Sequence, residues 1–269
     1  MRRIVRDASG FTAQGSQFAA RTVICRAMEA VLSAHDLSYG PPRQPRVRRI
    51  DLQLTAADRL GLLGLNGAGK STLLQLLAGV LPPSAGEVRV LGRRLDADGH
   101  AARRQIGYLP QRVPAYPELS VRENLAWAGQ LHGLRGRPLR EAIATVLAQV
   151  ELGNVADRLA GRLSAGMLQR LGLAQAILHR PRVLILDEPT ASLDPLQTEQ
   201  IRDLLGRLGD DVSLVVATHL LDDVLQLCGR VILLDQGRQV AEHPVTADID
   251  LLAHLRAGLN DTGLHQAAR

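Results

Sequence analysis

The sequence predicts an α/β fold, a mixed sheet flanked by helices with an antiparallel β edge and an inserted α-helical subdomain. Three observations predict it. From Ala30 onward, short apolar runs of strand length alternate with longer helical patterns. Four runs, at residues 60–65, 183–186, 214–217 and 231–234, are nearly all apolar, as parallel strands covered on both faces require. Two others, 31–37 and 47–54, alternate apolar and polar residues, as antiparallel strands with one solvated face do.

In chain order, residues 1–27 come first. They carry Arg2, Arg3, Arg6, Arg21 and Arg26 against Asp7, so +4 of the formal net charge of +5 sits there and the body is nearly neutral. No apolar stretch there exceeds Val23-Ile24-Cys25, too short for a secretory signal, although the Arg-rich, acid-poor character has something of a transit peptide. The expectation is a disordered or spurious extension, with Met28 the start just before the first strand. The main domain is then expected over 28–241 and a helical tail over 242–269.

Between Pro110 and Leu163 strand-like runs stop and two helices take over, giving a helical subdomain over about 112–165. Ser120 with Glu123 makes a capping box for the first helix, and Pro138 suits the first turn of the second. The 269 residues are 46% apolar and 22% charged, which supports a globular core. Six aromatic residues offer no stacking platform and the body offers little charge, so no nucleic-acid partner is expected. Cys25 and Cys228 suit reduced thiols better than a disulfide framework. The longest candidate span, 73–81, is interrupted by Gln75 and Gly79 and falls far short of a bilayer crossing.

Chemistry enters at Gly64-Leu65-Asn66-Gly67-Ala68-Gly69-Lys70-Ser71, which matches G-x-x-x-x-G-K-[ST] between a strand and a helix expected over 71–78. This is a P-loop, and it makes the sheet one of P-loop NTPase type. Glycines let the backbone turn so that successive N–H groups point at phosphate oxygens, and the helix N-terminus adds partial positive charge. Asn66, Gly67, Ala68, Gly69, Lys70, Ser71 and Thr72 therefore form the candidate nucleotide cradle. Lys70 should span the β- and γ-phosphates, and Ser71 should bind Mg²⁺. Lys70 is the only lysine, the 31 other basic residues being Arg. A compact ammonium suits a narrow cradle that a planar guanidinium fork would not.

The run 183–186 ends in Asp187 and Glu188, a Walker B pattern. Asp187 would face Mg²⁺ and Glu188 would polarise the attacking water. From here the chain resembles the ATP-binding cassette (ABC) ATPases over about residues 30–240. Leu163-Ser164-Ala165-Gly166-Met167 resembles the signature LSGGQ, with Ala165 replacing a Gly and Met167 replacing Gln. It begins 24 residues before Asp187, the spacing usual in the family. Ser164 and the Gly166 amide keep the donors that the resemblance implies meet a γ-phosphate, whereas Met167 has no side-chain amide to make the contact of the missing Gln side chain.

The resemblance further implies that Gln111 is the glutamine bridging Mg²⁺ and water, that Asp194 belongs to the D-loop, and that His219 is the switch histidine. Tyr39 occupies the place of the adenine-stacking aromatic. In this family the signature of one subunit closes over the P-loop of another, so two ATP molecules sit between two copies. The resemblance therefore implies a second ATP-binding subunit, as a homodimer, and a separate integral-membrane permease docking near Gln111 and the helical subdomain. The chain would sit peripherally at the cytoplasmic face of the inner (plasma) membrane and hydrolyse ATP to drive transport. The short cassette looks most like motors of type 2 exporters, with import the alternative. A non-transport role fits poorly: only 93 residues separate Lys70 from Leu163, too few for a long coiled coil, and there is one cassette.

Overall fold

The computed structural model describes residues 30–97, 99–209 and 211–246 together with 249, 251 and 253. The extension expected over 1–27 lies outside the described residues, as does most of the tail. The first half of the chain comprises β1 (Leu32–Tyr39), β2 (Val47–Leu54), β3 (Arg59–Leu63), α1 (Lys70–Leu77), β4 (Ala85–Val90), β5 (Arg93–Arg94), α2 (Gly99–Arg103) and β6 (Ile106–Leu109). Two helices of the expected insertion follow, α3 (Val121–Leu131) and α4 (Gly136–Gln149), then α5 (Ala165–Ile177). The remainder is β7 (Val183–Asp187), α6 (Pro195–Gly206), β8 (Ser213–Thr218), α7 (Leu221–Leu227), β9 (Arg230–Asp235) and β10 (Arg238–Pro244).

The strands divide into two sheets. One is antiparallel, in the order β2-β1-β4-β5, and the other runs β10-β9-β3-β8-β7-β6. In the second sheet β3, β6, β7, β8 and β9 are parallel, and β10 closes one edge antiparallel to β9. The antiparallel strands thus make a sheet of their own, and the mixed sheet carries a further antiparallel edge. Residues 242–244 belong to β10 and not to a helical tail, because Arg238–Pro244 pairs with β9 while leaving its mostly polar side chains toward solvent. Leu251 and Ala253 are helical, and Leu251 is buried in the core.

Burial explains the all-apolar runs. Leu60 and Leu62 of β3, Ile185 of β7 and Val215 of β8 face a core shared with α1 and the antiparallel sheet. Leu63, Leu184, Leu186 and Val216, their neighbours along the strands, face a second core with α5. With both faces covered, polar alternation has no place. In α1, Leu73, Leu74, Leu76 and Leu77 are each fully buried, and such a side chain contributes about 1.5–3 kcal/mol. α3 opens on the expected capping box: Ser120 Oγ accepts from the Glu123 amide at 3.2 Å, and Glu123 Oε2 accepts from the Ser120 amide at 2.8 Å. Among the described residues no helix is long and apolar enough to cross a membrane. The parallel strands all emerge at one sheet edge, where open α/β sheets place their ligand sites.

Candidate functional site

After β3 the chain must turn sharply and enter α1, and glycine makes that turn possible. Gly69, the N-cap of α1, holds φ at +103°, and a Cβ there would stand 2.6 Å from the Arg46 carbonyl oxygen. At Gly64 a Cβ would meet the Leu234 carbonyl oxygen at 2.4 Å. The backbone therefore packs against backbone, and the first amides of α1 open onto a cleft of about 880 Å³. Asn66, Gly67, Ala68, Gly69, Lys70, Ser71, Thr72, Gln111 and Glu188 all line it.

Lys70 folds back over the loop, its Nζ donating to the carbonyls of Gly64 at 2.8 Å and Leu65 at 3.3 Å. Glu188 Oε1 lies 3.9 Å from it. Burial lowers the ammonium pKa, and the Glu188 and Asp187 carboxylates oppose that shift. Ser71 Oγ donates to Asp187 Oδ1 at 3.2 Å. Burial raises the Asp187 pKa, against the Ser71 hydrogen bond, while nearby Glu188 adds to the rise. The Ser71 hydroxyl and the Gln111 amide line the cleft and Asp187 lies behind it, hydrogen-bonded to Ser71; together they are hard oxygen donors suited to Mg²⁺.

Glu188 follows β7 in the left-handed region at φ +52°, its amide donating to the Ala217 carbonyl of β8 at 2.8 Å. That turn aims the side chain back over the cradle. His219, one residue beyond β8, places Nδ1 2.8 Å from Glu188 Oε2, with its ring half-exposed. A carboxylate and an imidazole in contact beside a phosphate cradle can orient a water and accept its proton.

The signature segment lies elsewhere. Ser164 caps α5, accepting from the Met167 amide at 3.3 Å, while Met167 packs against the core. Ser164, Gly166 and Met167 line a separate cleft of about 260 Å³ with Gln197. Asp194 caps α6 by accepting from the Gln197 amide at 2.9 Å. Tyr39 is not among the residues lining the large cleft. It is half-buried against the core, and Pro41, Gln44 and Pro45 line the cleft beyond it. Sequence reasoning missed Arg46, Arg48 and Gln236, which also line it. The arginine cluster at 43–49 was the available signal for the first two. It also missed Gln169, whose side-chain amide donates to the Pro189 carbonyl at 2.7 Å and joins the signature helix to the Glu188 turn.

An amide-lined loop with a buried lysine, at the carboxyl edge of a parallel sheet and facing paired carboxylates, defines a P-loop nucleotide-binding cassette. Residues 47–191 match the model of the ABC transporter family, and the chain belongs to that family as an ATP-binding domain. It is 39% identical over 208 residues to the uncharacterized ABC transporter ATP-binding protein YxlF of Bacillus subtilis (strain 168), covering 77% of this chain and 68% of the relative. It is 38% identical over 200 residues to the Nod factor export ATP-binding protein I of Rhizobium sp. (strain N33), covering 73% and 65%. The chain thus spans about two thirds of the length of these relatives. The structure of the ATP-binding cassette MJ0796, in a dimeric post-hydrolysis state bound to ADP and Pi, superposes with a TM-score of 0.72 at 25% identity, covering 80% of this chain and 99% of that one.

Proposed function

We propose that this chain is the ATP-hydrolysing motor of a membrane exporter, working as a homodimer through a permease on a separate polypeptide. The observation that carries it is the convergence of Lys70 from the start of α1 with Asp187, Glu188 and His219 from the ends of β7 and β8, with Glu188 3.9 Å from Lys70 and 2.8 Å from His219. Lys70 and the amides of 66–72 hold the phosphates of ATP. Ser71, Asp187 and Gln111 hold Mg²⁺, which when bound neutralises charge on the β- and γ-phosphates. Glu188 accepts the proton of the attacking water, and His219 steadies it.

The separate position of Ser164 and Gly166 supports a two-chain site. One copy carries the cradle and the signature in different clefts, so a second copy placed head to tail supplies the missing donors, with Asp194 at the contact. ATP favours the closed pair and ADP releases it, a two-state element driven by differential binding. The helical subdomain, about 112–165 within an ATPase domain of 28–241, and Gln111 form the permease-docking face on the cytoplasmic side of the inner membrane. Nod factor export relatives favour export over import.

The test is ATP binding and phosphate release by the purified protein with and without Mg²⁺, alone and co-expressed with a membrane protein encoded beside it. Mg²⁺-dependent turnover and an ATP-dependent dimer are expected. The absence of Mg²⁺-dependent affinity for adenine nucleotides in both preparations overturns the reading.

A further inference from the structure

Behind the Glu188–His219 pair, a second polar cluster lies outside the cleft. Asp223, on α7, is 0% exposed. Its Oδ2 accepts from Thr190 Oγ1 at 2.5 Å and from Thr218 Oγ1 at 3.1 Å. Its Oδ1 accepts from Arg202 Nη2 at 2.7 Å and Nε at 2.8 Å. Thr218 Oγ1 in turn accepts from the Leu220 amide at 3.0 Å, so both sides of His219 are held by one hydroxyl.

The chain positions give this cluster its meaning. Thr190 stands two residues after Glu188, and Thr218 immediately precedes His219. A single carboxylate oxygen therefore pins the turn that carries the carboxylate and the turn that carries the imidazole. The 2.8 Å Glu188–His219 contact is the far side of the ring so formed. The other oxygen holds Arg202 on α6, the helix that begins at Asp194. Burying a carboxylate this fully is unfavourable unless it is paired, and apolar packing of the same volume is often at least as stable. What apolar packing would lack is the fixed spacing between two strand ends and a helix.

We propose that Asp223 is a positioning residue for ATP hydrolysis: through Thr190 and Thr218 it sets the Glu188–His219 geometry, and through Arg202 it ties that pair to the helix beginning at Asp194. The inference rests on the reading that Glu188 and His219 act on the attacking water.

Thr218→Val in the full chain removes one hydroxyl at nearly constant volume and leaves the Arg202–Asp223 pair intact. We expect kcat to fall about tenfold or more as both hydrogen bonds of the hydroxyl are lost, with ATP affinity close to wild type and the urea midpoint lowered. Thr218→Ser, which restores the hydroxyl, recovers kcat to within about threefold. Asp223→Asn gives a larger fall in kcat, and if it proves unstable the Thr218 pair still decides. His219→Ala serves as the control. If His219→Ala is slow while Thr218→Val turns over at the wild-type rate, or loses affinity at unchanged kcat, the positioning role is overturned. If His219→Ala itself turns over at the wild-type rate, the reading of the pair fails and the inference falls with it.

Discussion

Replacing Glu188 by Gln separates chemistry from binding at this site. The substitution keeps the side chain's shape, and the backbone features of position 188, φ +52° and the amide bond to the Ala217 carbonyl, do not depend on the carboxylate. Gln can still hydrogen-bond His219 at the present 2.8 Å. What is lost is a charge 3.9 Å from Lys70 Nζ. At that separation the gross attraction is about 4 kcal/mol for an effective dielectric of about 20, and relief of carboxylate desolvation offsets most of it. Folding stability should fall, but by less than the about 3–5 kcal/mol that breaking a tight buried pair costs, because Lys70 keeps its bonds to the Gly64 and Leu65 carbonyls. The proton acceptor is also lost, and general-base catalysis contributes roughly 10²–10⁴ in rate, or about 3–5 kcal/mol of activation free energy. Steady-state phosphate release at saturating MgATP should fall by that factor. Equilibrium ATP binding should persist, and light scattering should show an ATP-held dimer. A kcat within about threefold of wild type would refute the assignment of Glu188 as the base.

Gly69→Ala places a methyl group 2.6 Å from the Arg46 carbonyl oxygen at φ +103°. Backbone strain alone costs about 1–3 kcal/mol, so the urea midpoint and ATP affinity should both fall, and unchanged values of both would contradict the tight turn. Burial raises the folded-state pKa of Asp187, so its stabilising contribution is fully present below the ordinary value near 3.8 and is lost as pH rises from there through the folded value. At neutral pH the ionised group is a net cost. Asp187→Asn should therefore raise the apo urea midpoint at neutral pH, by an amount that shrinks on acidification, while weakening Mg²⁺-dependent ATP binding; a lowered midpoint would reverse the sign of the argument. His179 is pushed from 6.5 down to about 4 by burial, with His132 and Arg104 adding to the shift. The folded state then binds no proton there while the unfolded chain does, so stability present above pH 6.5 declines by about 3 kcal/mol toward pH 4. His179→Gln should flatten the urea stability curve across that window, and an identical slope would exclude His179 as its source.

Much of the site was legible locally. A glycine-rich turn between an apolar strand and a helix has few other uses, and two carboxylates ending a buried strand beside it complete a recognisable pair. The capping box at Ser120 reads directly because both partners lie within one helical turn. Legibility failed where the signal was short or polar. β4, β5 and β6 span six, two and four residues, and β10 is an exposed edge strand, so their periodicity is weak. Tyr39 shows a different limit: the position of an aromatic residue along β1 does not tell whether its ring lines a cleft or packs on the core.

By itself, the sequence determined four of the five parallel strands, where the glycine-rich turn between β3 and α1 falls, and that its lysine stands alone among 32 basic residues. These are matters of neighbouring residues, governed by backbone conformation and by which runs are apolar enough to be covered on both faces. The tertiary structure alone decided that Ser71 meets Asp187 across 116 residues of chain, and that Asp223 joins Thr190, Thr218 and Arg202. It also placed the cradle and the signature in different clefts. Such contacts leave no local pattern. They form because the order β10-β9-β3-β8-β7-β6 aligns distant strand ends at one edge, where buried polar groups such as Asp223 are stable only when paired.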